Sequence, residues 1–343
     1  MSNELLGILL FFIIGFAWMV YLAQEIFISG VSLLNVAICD DEKERKQLQV
    51  ISGLHFDGME VWLIAALTLL FGVFPLGFAT ILQHLYVVFF VLIYALIARG
   101  VSIEVIYKLD SPKWIKSMKI TWLVSSIMIV FLLGVFMTSL FNGFPLGVDG
   151  MEQNFFSIIN VTTISGGLLF TALSFVTGAG WISLTTEGVV QNRGLVFVKK
   201  TGIHIAVPVL ALMVVMGFNN TGTSPFIGEL FAKYPGLFVL PALEVLAAIM
   251  VIYYGIKMKG RQLFIHAVAV MILFIITGFL GTYPNVVLSS IDPMYSITIV
   301  DAMSSVNSLT IILWVTIIFF PTILGYQTWK YLKFRTRVKL NDE

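Results

Sequence analysis

The chain has 343 residues, of which 59% are hydrophobic and only 11% charged, and its mean hydropathy is +0.98. Soluble domains carry about 25% charged residues, so this composition excludes a water-soluble fold. A formal net charge of +1 excludes the basic surface of a nucleic-acid binder, and the lone Cys39 excludes an intramolecular disulfide.

A membrane-spanning helix needs about 20 mostly apolar residues. The first such run, predicted at 5–28, has Glu4 before it and no basic residue, so it lacks the leading charge of a cleaved signal peptide and reads as a retained helix. Between Val61 and Ala98 there is no charged residue, enough for two spans at 57–76 and 78–98. Phe74-Pro75-Leu76-Gly77 is the natural turn between them, because Pro lacks a donor and Gly relaxes the backbone. Further spans are predicted at 120–141, 161–186, 201–218, 237–256, 263–281 and 309–329, with no internal repeat and no low-complexity segment. The fold class is therefore all-α integral membrane, with nine transmembrane helices in a single polytopic domain filling 1–343.

Basic residues set the orientation. Lys43, Arg45 and Lys46 follow the first run, Arg99 to Lys119 the third, Arg193 to Lys200 the fifth, Lys257 to Arg261 the seventh, and Lys330 to Lys339 the last. Only Lys233 falls on the other side. The positive-inside rule then places the N-terminus outside and the C-terminus in the cytoplasm of a bacterial or archaeal inner membrane.

The richest polar patch is His55-Phe56-Asp57-Gly58-Met59-Glu60-Val61-Trp62, at the expected cytoplasmic entrance of the second span. Asp57 and Glu60 are three apart and share a helix face. A carboxylate in hydrocarbon costs a few kcal/mol unless it finds partners or water, so the pair reads either as a proton-entry group or as interfacial charges at a helix N-terminus. Glu25, at the end of the first span, reads either as a partner of His55 in the same hydrated pocket or as an interfacial charge. Glu104 is expected to pair with Arg99 in a loop, and Glu244 is a further candidate buried acid. Asp301 is expected to cap the ninth span. Gly166, Gly167, Gly178 and Gly180 read as a close packing surface. His84, His204 and His266 have the chemistry of haem ligands, but nothing sets them apart from histidines hydrogen-bonded inside a bundle. Trp62 reads as packing. No Walker loop, HExxH motif or Ser/His/Asp arrangement is present.

The stretch from His55 through Trp62-Leu63-Ile64 resembles the second-helix signature of subunit II of cytochrome bd-type quinol oxidases. Three further stretches are similar to that family. They are Arg99 with Glu104, Thr177-Gly178-Ala179-Gly180 through Thr186-Glu187-Gly188, and Tyr283-Pro284-Asn285 through Ser289-Ser290 to Asp301-Ala302. The resemblance spans nearly the whole chain. One departure stands out. Where the family ends its first helix with Asp-Gly-Phe-Asp-x-Gly-Val-Gly, this chain has Glu25-Ile26-Phe27-Ile28-Ser29-Gly30-Val31-Ser32, so Ile28 replaces the second acid.

The resemblance implies a non-haem subunit of an enzyme that takes electrons from membrane quinol and reduces oxygen to water. Two b-type haems and one d-type haem would belong to the partner, subunit I, with which this chain would form a heterodimer. A small single-helix subunit, membrane lipid and a structural quinone are further expectations. Asp57 matches a proton-path carboxylate, joined by Glu25, His55, Glu60 and Glu104. Trp62 matches an aromatic residue beside an oxygen route. Two other readings compete: a proton-coupled secondary transporter, whose carboxylates would bind a coupling ion, and a scaffold whose ionisable groups move nothing. Transporters of that kind often show repeated halves and broken helices, and neither is evident here.

Overall fold

The computed structural model describes residues 3–147, 150–151, 159–202 and 229–333, except that the side chains of 54–57, 150–151, 202 and 229 are not described. The backbone is almost wholly helical, as it must be where lipid offers no hydrogen-bond partner. Helix α1 is Asn3–Ile38, α2 Glu42–Val73, α3 Pro75–His84, α4 Tyr86–Val105, α5 Pro112–Asn142, α6 Val161–Thr185 and α7 Val189–Phe197. After a π turn at Val198–Gly202 come α8 (Glu229–Lys233), α9 (Val239–Ile256), α10 (Gly260–Thr282), α11 (Ile299–Ala302) and α12 (Val306–Lys333). Among the described residues seven helices are long and apolar enough to cross a membrane, or eight if bent α2 counts as one span. The expected span at 201–218 lies outside the described residues apart from its first two positions.

Several expected boundaries need correction. Helix α1 runs ten residues past 28, to Ile38. At about 1.5 Å per residue its 36 residues exceed a ~30 Å hydrocarbon core, so Glu25 lies well inside the helix. Helix α2 begins at Glu42 instead of 57, capped by Asp41, whose side chain accepts from Glu44 N–H at 2.8 Å. It bends by 40° between Glu42–Gly53 and Gly58–Val73. Pro75 does end α2, standing as the first residue of α3, where its missing donor costs nothing. The third expected span, 78–98, is two helices broken at Leu85. There the His84 ring packs 4.8 Å from Phe144 and ties the end of α3 to the loop after α5.

Helix α6 sits at the centre, against α1, α5 and α10. Its approach to α1 is backbone on backbone: a Cβ on Gly30 would lie 1.9 Å from the Ser174 carbonyl oxygen, and one on Gly178 2.3 Å from the Gly30 carbonyl carbon. Gly134 and Gly166 repeat the arrangement between α5 and α6. The small residues read from the sequence as packing positions do that work. At the end away from the basic clusters, short hairpins pair Leu146–Gly147 with Gly150–Met151 and Asn285–Val287 with Ile297–Thr298. Asp301 belongs to a capping box with Thr298 that starts α11, not α12, so its expected role is reassigned.

Candidate functional site

On α1, Tyr21, Glu25 and Ser29 are spaced four apart and therefore share one face. Arg99 of α4 reaches this face. Its guanidinium meets the Glu25 carboxylate fork to fork, through Nη1 to Oε1 and Nη2 to Oε2, the latter at 2.9 Å. Both side chains are 0% exposed. Nη1 also donates to Ser29 Oγ at 2.8 Å, and Nη2 to Glu60 Oε1 of α2 at 3.1 Å. Glu25 further accepts from the Ser29 hydroxyl and from the Tyr21 hydroxyl, at 3.2 Å for the latter. Two carboxylates from different helices thus meet one guanidinium inside the bundle. Paired in this way, Glu25 stays buried within α1, which runs on to Ile38.

The sequence pairings change accordingly. Glu25 faces Arg99, and Arg99 turns inward from α4 and does not pair with Glu104, which sits exposed on the last turn of that helix. Arg99 reads as a loop cation because it ends an uncharged run; the chargeless Gly-Val-Ser-Ile after it is the available sign that the helix continues. Ile28, at the missing second acid, is 1% exposed and packs with Phe27 and Met59. Glu60 of α2 is the second carboxylate at Arg99. Asp57 precedes Glu60 by one turn and His55 lies in the same helix, but their side chains fall outside the described residues.

Trp62, one turn below the bend, is 0% exposed and stands edge-on between Phe16 at 6.0 Å and Phe320 at 5.2 Å. Its indole N–H finds no acceptor among the described residues. His84 and His266 each hold an i−4 carbonyl with Nδ1, Thr80 at 2.8 Å and Gln262 at 2.7 Å, so Nδ1 carries the proton in both. Among the described residues no group of three or more His, Cys, Asp or Glu is placed to hold a metal ion. His204 lies outside them. Glu244 is partly buried on α9, between the exposed Leu243 and Val245, away from the Glu25 cluster.

A second set of ion pairs closes the same end of the bundle. Arg193 of α7 bonds Asp40 at 2.8 Å, Glu44 at 2.8 Å and the Ile38 carbonyl at 3.3 Å, pinning the α1–α2 loop. Glu42 takes Lys119 of α5 and, at 3.1 Å, the Tyr107 hydroxyl. Cys39 is enclosed here: burial, with Glu44 beside it, pushes its thiol up to about 12.

The family model for cytochrome bd terminal oxidase subunit II matches residues 6–334. Cytochrome bd ubiquinol oxidase subunit 2 of Bacillus subtilis (strain 168) is 29% identical over 96% of this chain and 95% of its own. Cytochrome bd-I ubiquinol oxidase subunit 2 of Escherichia coli (strain K12) is 25% identical over 98% and 94%. A chain of the bd oxidase structure from Geobacillus thermodenitrificans superposes with a TM-score of 0.74 at 12% identity, covering 96% of this chain and 97% of that one, which shows a shared fold. The helical bundle and the whole-length match agree: the chain belongs to the cytochrome bd terminal oxidase subunit II family, as one subunit of a membrane oxidoreductase.

Proposed function

We propose that the chain is the non-haem half of a quinol:oxygen oxidoreductase in the bacterial inner membrane, and that its Glu25–Arg99–Glu60 cluster is a proton station for the haem-bearing subunit I. The carrying observation is the fully buried Glu25–Arg99 pair with a second carboxylate attached. A buried charge pair recovers its desolvation cost only with good geometry and further hydrogen bonds, and Glu25 has both. One guanidinium balances one carboxylate. A proton taken up by either acid changes the charge that the single guanidinium must balance.

Glu25 already serves four donors, whereas Glu60 is 22% exposed and is the arm within reach from outside the cluster. Protons would enter from the basic, cytoplasmic side past His55 and Asp57, which precede Glu60 on α2, with Glu104 near the mouth. The haems of the partner would supply the electron transfer and oxygen chemistry. The Trp62–Phe16–Phe320 group suits the wall of an apolar oxygen route. Nine spans, the N-terminus outside and one membrane domain complete the reading. The transporter alternative is not favoured, since the family match covers the whole chain.

The test uses the purified two-subunit oxidase carrying Glu25→Gln, Glu60→Gln or Asp57→Asn. Each should slow quinol-driven oxygen consumption by about tenfold or more, the scale of a lost proton-transfer group, with haem bands and subunit ratio intact. Wild-type turnover in both Glu25→Gln and Glu60→Gln would sink the proton reading and leave the chain as a scaffold.

A further inference from the structure

Next to the ion cluster runs a second buried polar chain, built from amides and a phenol. Helix α12 is mostly exposed, and its buried residues are Leu309, Thr316 and Gln327. Gln327, 6% exposed, is a long polar side chain turned into the protein from an apolar helix, which is costly unless its amide is satisfied. It is satisfied on both ends. Its Nε2 donates to the carbonyl oxygen of Gly58, and its Oε1 accepts from Gln24 Nε2 at 3.2 Å. Gln24 Oε1 in turn accepts from the Tyr331 hydroxyl at 3.3 Å. The orientation is fixed by chemistry: the Gly58 carbonyl only accepts, so the Gln327 amino group must face it, and every other assignment in the chain follows.

Gly58 opens the second arm of bent α2, and Glu60 stands two residues further along it. Carbonyls at a helix bend tilt away from the axis and take an extra donor readily. Gln24 is the neighbour of Glu25. Gln327 therefore bridges the Gln24 side chain, one residue before Glu25 on α1, to the Gly58 backbone, two residues before Glu60 on α2.

We propose that Gln327 is a positioning residue: through the Gly58 carbonyl it holds the Glu60 arm of α2 against Arg99 and Glu25. An amide exchanges no proton at working pH, so its effect passes through Glu60. The inference rests on the proton-station reading above. Among the described residues, the charged and titratable groups around that arm include Arg99 of α4, Glu25 and Tyr21 of α1, and from α12 Tyr331 and Lys330, whose Nζ would lie 3.4 Å from a Cβ at Gly58.

The experiment compares Gln327→Met, Glu60→Gln and the double variant in the purified oxidase, reading haem spectrum, subunit ratio and the pH profile of quinol-driven oxygen consumption. Gln327→Met should lower turnover several-fold and displace the pH profile with the haem bands unchanged. In the Glu60→Gln background it should add nothing, because its target is gone. A wild-type rate and profile in Gln327→Met overturns the proposal, and so does a full extra loss in the double variant. Should Gln327→Met fail to assemble, Gln327→Glu decides: its carboxyl donates to Gly58 only when protonated, so activity should recover at acidic pH, and a pH-independent defect overturns the proposal. Full activity of Glu25→Gln and Glu60→Gln would instead defeat the underlying reading, a separate outcome.

Discussion

The two ends of the bundle are held by different chemistry. At the basic end the ion pairs gather: Glu25 and Glu60 on Arg99, Asp40 and Glu44 on Arg193, Glu42 on Lys119. At the far end the ties among the described residues are backbone and hydroxyl bonds. Phe144 N–H donates to Leu288 at 2.9 Å, Ser290 N–H to Phe144 at 2.8 Å, and Ser304 reaches Val73 with its N–H at 2.8 Å and Gly72 with its hydroxyl at 2.7 Å. The difference follows from the distribution of basic residues. A face almost stripped of cations must satisfy itself with what the backbone offers, while the cation-rich face has charge to spare and can bury some of it.

Removing the guanidinium is the most severe way to break this contrast. Arg99→Leu leaves two carboxylates facing each other inside the bundle, a loss of roughly 3–5 kcal/mol for an orphaned buried charge. The expected result is a complex that fails to accumulate, read as haem-to-protein ratio in purified membranes; a normal yield would show that the cluster is not structurally demanding. Ser304→Ala probes the far end and should cost about 1 kcal/mol, a shift of a few degrees in thermal inactivation, with no effect of salt. Lys119→Ala is the mildest. Its partner Glu42 is 51% exposed, so the pair is screened by solvent, and the loss should stay below about 1 kcal/mol and vanish as salt is raised. A large, salt-independent loss there would erase the distinction between buried and rim ion pairs.

The helical architecture was legible because hydropathy and charge write it directly: α5, α6, α9, α10 and α12 each overlie an expected span. What composition does not record is which charge is matched by a charge on another helix. Glu25 and Arg99 each look like the end of an apolar run when read singly, and each in fact lies inside a helix that continues past it. The same blindness hid Gln24 and Gln327, two amides that are unremarkable until α1 and α12 stand side by side. The loss of the family's second acid at Ile28 is visible in the sequence, whereas the meeting of Glu60 and Glu25 on one guanidinium needed the fold.

The contact of Gly30 with Gly178 has a mechanical consequence for the site above it. With the backbones of α1 and α6 already touching, any side chain at Gly30 or Gly178 would push apart the helices next to the α1 segment that carries Glu25 and Ser29. The alignment of the buried cluster thus depends on two glycines that touch none of its charges.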